Sequence, residues 1–214
     1  MVFFDTGWEF PGLLDHIDLL ERKTGIEIVR LKPDRSFDAW MTKHYLPNQN
    51  RIGYGWPSPK RRWCTREKFG AINKYCKPFT PYIECIGFAA DEFDRTLRTM
   101  AARRINKKNT SIRFPLIEWK ITEADALKYC YEKGYDWGGL YKVFHRVSCF
   151  CCPLQRIGGL KKLRKHFPDL WKKMLKMDSR IEKNRGFRGY KTVHNLEERF
   201  ADEEKQLTIS RIIQ

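Results

Sequence analysis

The chain has 214 residues, enough for one substantial domain or a domain with a small appendage. Hydrophobic residues make up 42% and aromatic residues 14%, which supports a buried core and excludes a disordered chain. A net charge of +16 calls for an acidic partner or substrate: nucleic acid, nucleotide or sulfate.

Taken in chain order, Val2-Phe3-Phe4 reads as a buried strand that runs into an Asp5-Thr6-Gly7 turn. Phe10 to Lys23 has apolar residues at helical spacing, with Pro11 suited to the first turn and Gly25 to the C-terminal cap. Residues 27–31 form the next strand, so a βαβ unit and a parallel sheet are expected. A short helix over Phe37 to Lys43 and a Pro/Gly/Asn-rich loop over 47–59 follow. Thr65 to Tyr75 reads as a helix with Thr65 as its cap, Tyr82 to Phe88 as a third strand and Asp91 to Arg104 as a helix. Residues 112–119 read as extended. Thr122-Glu123-Ala124-Asp125 has the form of a capping box opening a helix that Gly134 closes. Beyond Cys149-Phe150-Cys151-Cys152-Pro153 the sequence predicts one basic helix over 160–183 and a charged helix over 197–206. The chain therefore reads as an α/β domain over 1–155 with a basic helical extension over 156–214.

No apolar run approaches the roughly 18 residues a membrane helix needs. The first six residues have no basic n-region and no small residues of the cleavage type, so a soluble, cytoplasmic protein is expected. Seven cysteines, an odd count, do not suggest a disulfide framework. Cys149 and Cys152 form a C-x-x-C pair, a spacing from which two thiolates can reach one metal from a tight turn. Cys64 sits at the start of a predicted helix beside Arg61 and Arg62, where a thiolate is favoured. From spacing alone, a metal or iron–sulfur site, a redox dithiol and a buried pair without metal all remain open. Asp5-Thr6-Gly7 lies at the carboxyl end of a strand, where α/β sheets bind ligands. Arg95, after the third strand, could clamp a phosphate or sulfate, or simply pair with its acidic neighbours. Lys161, Arg164, Lys173, Arg180 and their basic neighbours, interleaved with Phe167, Trp171, Phe187 and Tyr190, suit either a phosphate backbone with stacked bases or a solvated helix face with its aromatics in the core.

These blocks, in this order, resemble the phosphoadenosine phosphosulfate (PAPS) reductase-like family. Val2 to Pro11 resembles its second-strand motif, and Arg62-Trp63-Cys64-Thr65-Arg66-Glu67-Lys68 its Arg-x-Cys-x-x-x-Lys stretch. Gly87 to Arg95 is similar to its Gly-x-Arg-x-x-Glu-x-x-x-Arg segment, with Ala89 where an Arg is usual. Pro115 to Trp119 resembles its Pro-x-x-x-Trp block. Tyr141 to Pro153 resembles its closing Cys-x-x-Cys segment, with Ser148 where Gly is usual. The resemblance implies a Rossmann-like parallel sheet of the adenine nucleotide α-hydrolase type. It implies an adenine nucleotide (ATP, adenylylsulfate or PAPS) at Asp5, Thr6 and Gly7, with Arg62, Lys68 and Arg95 holding anionic groups. It also implies that Cys64, Cys149 and Cys152 match ligands of a [4Fe–4S] cluster, with zinc as the alternative metal; Trp63 stands where that branch often has a second Cys. The activity implied is that of a sulfurtransferase or sulfonucleotide reductase. The alternative is a catalytically silent nucleic-acid-binding or assembly subunit, or a DNA or RNA thiolation component. The family's Ser-Gly-Gly-x-Asp-Ser phosphate loop would precede Val2 and is not among these residues, so a partner chain or an upstream segment is expected along the edge of the first strand. The Glu-Cys-Gly-x-His motif of true reductases is not among them either, so reduction by that cysteine is not expected.

Overall fold

The computed structural model describes residues 1–47, 51–104, 110–182 and 186–212. They divide into two compact units, one of Met1–Ile72 with Trp137–Gln214 and the other of Asn73–Asp136.

In the first unit the βαβ reading holds. Strand β1 (Val2–Phe4) pairs in parallel with β2 (Val29–Leu31) in the register Val2↔Val29, Phe3↔Arg30, Phe4↔Leu31. The Asp5 amide donates to the Leu31 carbonyl at 2.8 Å and extends the ladder to the turn. Between the strands runs α1 (Pro11–Thr24), which opens on Pro11 and closes on Gly25 at φ 65°, where the Gly25 amide satisfies the Glu21 carbonyl. Helix α2 (Phe37–Thr42) is capped by the Ser36 hydroxyl, which accepts from the Ala39 amide at 3.2 Å, and buries Phe37 and Met41.

Within the expected 47–59 loop, β4 (Arg51–Ile52) pairs antiparallel with β3 (Tyr45–Leu46), which precedes the loop; residues 48–50 lie outside the described residues. Its exit needs glycine. Gly53 has φ 72°, and a Cβ there would fall 2.1 Å from the Met41 carbonyl oxygen. A tight turn, Ser58 to Arg61, then feeds α3 (Trp63–Cys76). The helix begins earlier than the Thr65 cap predicted. The Arg62 carbonyl already accepts from the Thr65 and Arg66 amides, so Thr65 lies inside the first turn.

The second unit holds the parallel pair β5 (Tyr82–Cys85) and β6 (Thr110–Arg113), joined through α4 (Phe93–Arg104). The expected extended run over 112–119 stops at Arg113. Pro115, which has no amide to lose, opens the short helix α5 (Pro115–Glu118). Helix α6 (Glu123–Glu132) has the capping box expected of it, with Thr122 and Asp125 bonding each other's amides at 3.1 and 3.2 Å.

The chain returns to the first unit through α7 (Leu140–Val143), α8 (Ile157–His166), α9 (Pro168–Arg180) and α10 (Val193–Ile212). The single helix expected over 160–183 is thus two. Pro168 cannot donate to the preceding turn, and Phe167 before it takes φ −134°, ψ 60°. Lys183 lies outside the described residues. Helix α10 starts ahead of its expected Glu197, because Thr192 and Asn195 cap it reciprocally at 3.1 Å each.

The described strands pair two by two, as three separate two-stranded pieces rather than one continuous sheet. The architecture is mixed α/β with short parallel pairs. The first unit has a single aromatic-rich core in which Phe4, Trp8 and Phe10 from the βαβ segment join Phe150, Leu163 and Phe200. Residues 156–214 therefore contribute to that core. No described helix is long and apolar enough to cross a membrane.

Candidate functional site

The turn after β1 is built by its own side chains. Asp5 Oδ1 accepts from the Gly7 amide at 2.7 Å, an Asx turn, and Gly7 adopts φ 77°, which favours glycine. Asp5 Oδ2 lies 4.0 Å from the Lys32 ammonium. Behind the turn sits Glu9, whose Oε2 accepts from the Thr6 amide (3.1 Å), the Thr6 hydroxyl (2.5 Å) and the Trp8 amide (3.1 Å). Burial raises the Glu9 carboxyl above its usual range, against the lowering effect of the Thr6 bonds.

Trp8 turns inward and joins this loop to the cysteine segment. Its carbonyl accepts from the Phe150 amide at 3.0 Å, and its ring lies 5.2 Å from that of Phe150. Asp38 accepts from the indole N–H at 2.9 Å. From α9, Lys173 donates to the Gly7 carbonyl at 3.1 Å with its ammonium 4.5 Å from the Trp8 ring centroid.

Phe150 lies inside the C-x-x-C turn, which closes through the Cys152 amide on the Cys149 carbonyl at 3.2 Å. The Gln155 amide group braces that turn by donating to the carbonyls of Cys149 (3.2 Å) and Phe150 (3.1 Å). A bond with Cys151, then burial, pushes the Cys149 thiol well up, while its bond with Cys152 works the other way. The bond with Cys149, then burial, raises Cys152 strongly. The charge of Glu9 also acts on Cys149, and that of Cys152 on Cys64. So Cys64, Cys149, Cys152 and the Asp5–Glu9 turn share one neighbourhood.

The expected Cys64 thiolate is overturned. Burial raises its thiol, outweighing the hydrogen bonds from Thr65 and the lowering effect of Arg62. Arginines beside a cysteine in sequence lower its pKa only where the sulfur remains solvated. Among the described residues no group of three His, Cys, Asp or Glu side chains could hold a metal ion as it stands.

Residues 1–155 match the family of phosphoadenosine phosphosulfate reductase domains. The chain belongs to that family. Family members bind adenine nucleotide substrates. Two curated proteins of Methanocaldococcus jannaschii are similar to it. They are "Uncharacterized protein MJ0066", 26% identical over 81% of this chain, and "Uncharacterized protein MJ0973", 25% identical over 81%. The chain spans 34% of the length of the first and 40% of the second. No solved structure matches.

In this PAPS reductase family chain the remaining expected residues fall as follows. Arg62 and Lys68 lie exposed at and along α3. Arg95, in the second unit, donates to Glu92 at 2.7 Å and sits 4.2 Å from the Phe88 ring centroid. The basic helices are less open than their composition predicts. Arg164 pairs with Glu197 and Glu204, Lys161 with Glu203, and Arg180 with Asp38, while Phe187 and Trp171 are buried. Of that group's aromatics Tyr190 alone is fully exposed, at 97%. Sequence reasoning missed Glu9 and gave Lys173 no role at the turn. The Thr6-x-x-Glu9 spacing, that of a capping box, was the available signal for Glu9. Lys173 had none, because 166 residues separate it from Gly7.

Proposed function

We propose that this chain carries out adenine-nucleotide-dependent sulfur chemistry, of the sulfurtransferase or sulfonucleotide reductase type. The nucleotide would lie against Asp5, Thr6 and Gly7, and the sulfur would be handled by the Cys149/Cys152 pair. The observation that carries this reading is the Phe150 amide bonded to the Trp8 carbonyl at 3.0 Å, which places the turn after β1 beside the thiols. Ligands of α/β folds bind outside the carboxyl ends of parallel strands, where this turn lies. Arg62 and Lys68 would supply positive charge for the anionic groups. Both thiols of the pair are held protonated, so attack by either needs a proton acceptor. The raised carboxyl of Glu9, whose charge reaches Cys149, can take that role. Arg95, engaged by Glu92 and Phe88, takes no part in this reading.

The convergence of three thiols favours a second reading, in which Cys64, Cys149 and Cys152 hold a [4Fe–4S] cluster or zinc. Among the described residues no group of His, Cys, Asp and Glu side chains stands ready to hold such a group, so no step is routed through it. Titration calorimetry with ATP, adenylylsulfate and PAPS tests the nucleotide site. Binding that Asp5→Ala weakens supports it, and no heat up to about 1 mM of any of the three sinks it. Iron, zinc and labile-sulfide analysis of anaerobically purified protein tests the metal. Stoichiometric iron with sulfide would move the thiols from sulfur carriers to ligands.

A further inference from the structure

In front of α3 lies a cleft of about 430 Å³ lined by Tyr54, Arg61, Arg62 and Arg66, among others. The side chains of Arg61 and Arg62 make no ion pair or hydrogen bond among the described residues, so two guanidinium groups face the cleft without a counter-charge. Arg66 is held in place: it donates to the Tyr54 hydroxyl at 2.9 Å, lies 5.4 Å from that ring's centroid and contacts Glu67 at 3.3 Å. The aromatic wall behind it is stiff. Tyr54 stacks on buried Trp63 (6.0 Å, 16°) and on His44 (5.2 Å, 23°), and His44 lies 4.2 Å from Trp40, with Arg35 5.7 Å from the Trp40 ring centroid. Burial and the charges of Arg35 and Arg66 lower the His44 pKa, so the wall itself is neutral at physiological pH.

We propose that this cleft is a docking track for the phosphate backbone of single-stranded nucleic acid. The arginines are strung out rather than gathered round one point. Arg61 precedes the helix, and Arg62 and Arg66 are separated by roughly 6 Å of helical rise. A single phosphate can engage two such forks, but a row of phosphates can engage all three bidentately. The whole molecule carries +16, a field that draws a polyanion far more strongly than a mononucleotide. Half-buried Tyr54 lines the cleft beside these arginines, an aromatic edge against which a base can lie. The proposal shares Arg62 with the proposed nucleotide site but needs neither the nucleotide turn nor the cysteines, and its test leaves Arg62, the turn and the cysteines intact.

The test is fluorescence anisotropy of the full chain with labelled single-stranded DNA and RNA oligonucleotides between about 50 and 200 mM salt. The cleft variant Arg61→Ala/Arg66→Ala is compared with Lys165→Ala/Lys176→Ala, which removes the same charge from exposed sites on α8 and α9. Losing two phosphate contacts should weaken binding at least about tenfold and flatten the slope of log K on log[salt] by about 1.4, while the control falls by less than about threefold. Arg61→Glu, which has no partner to abandon, guards against misfolding; it should keep the thermal midpoint and lose binding. Three results would overturn the proposal: no binding of either oligonucleotide, equal loss in both double variants, or equal affinity for the matching duplex.

Discussion

Replacing Asp178 with alanine should be among the costliest single changes in the first unit. Asp178 is 3% exposed and comes from the last turns of α9. Its Oδ1 accepts from the Trp56 indole N–H at 2.7 Å, and its Oδ2 from the amides of Val193 (3.0 Å) and His194 (3.4 Å) at the start of α10. Two short bonds to a carboxyl group are worth about 1.5 to 3 kcal/mol each, and the weaker third adds little. Removal leaves two buried donors unpaired, while relief from burying the carboxyl group and the surviving Thr192–Asn195 cap offset part of the loss. The net cost should be about 3 kcal/mol. With an m-value of about 2 to 3 kcal/mol/M, the urea midpoint should fall by about 1 M or more. Tryptophan fluorescence follows the transition, and far-UV circular dichroism checks that the mutant still folds. Trp56→Phe alone should cost about 1 kcal/mol, and the double mutant less than the sum of the singles, because the two share one bond. A loss under about 1 kcal/mol for Asp178→Ala, or strict additivity, would refute this account of how the three segments are joined.

Two further outcomes follow from the titrating groups. Hydrogen bonds from Arg164, then from Trp171 at 2.5 Å, hold the Glu197 carboxyl below its ordinary 4.5. Its folded-state pKa is depressed, so its contribution is fully present above about 4.5 and lost as pH falls below it; urea midpoints from pH 7 to pH 3 should drop less steeply in Glu197→Gln. Because hydrogen bonding and burial push Cys149 and Cys152 upward, iodoacetamide at neutral pH should modify exposed Cys85 long before either of them, with their labelling accelerating only well into the alkaline range. Peptide mass spectrometry over time reads this, and rapid neutral labelling of Cys149 would contradict a raised thiol.

Local signals made much of this readable from sequence. The Asp5-Thr6-Gly7 turn, the Gly25 cap and the Thr122 box are each decided within a few residues, by φ preference or by a side chain reaching a nearby amide. Cys64, Cys149 and Cys152 were grouped as soft ligands from their thiol chemistry, and the family resemblance added the cluster they would hold, since no spacing rule joins residues so far apart. What failed depended on the tertiary surroundings. The Cys64 thiol was expected low from its arginine neighbours and lies high because the fold buries it. For the basic helices the sequence left a nucleic-acid face and a solvated face with core aromatics open; Trp171 and Phe187 are buried, and α10 supplies Glu197, Glu203 and Glu204 to their charges. Pro168 was a visible breaker overridden by the long run of helix-forming residues around it. The arginine cleft went unseen because it needs the aromatic wall of Trp40, His44, Tyr54 and Trp63, which only the folded chain assembles.

The discontinuous first unit has a consequence for how the protein is made. Phe4, Trp8 and Phe10 find their core partners in Phe144, Phe150, Leu163 and Phe200, while residues 73–136 form a unit of their own in between. At ribosomal speeds of about 5 to 20 residues per second, these early aromatics leave the tunnel many seconds before their partners exist. During that interval the aromatic face of the βαβ segment has no core to cover it, and the intervening unit can complete its own β5–β6 pairing first. Newborn chains should therefore depend on a holding chaperone until α8 to α10 emerge, and a ribosome stalled before residue 144 should display the βαβ segment in a protease-sensitive form.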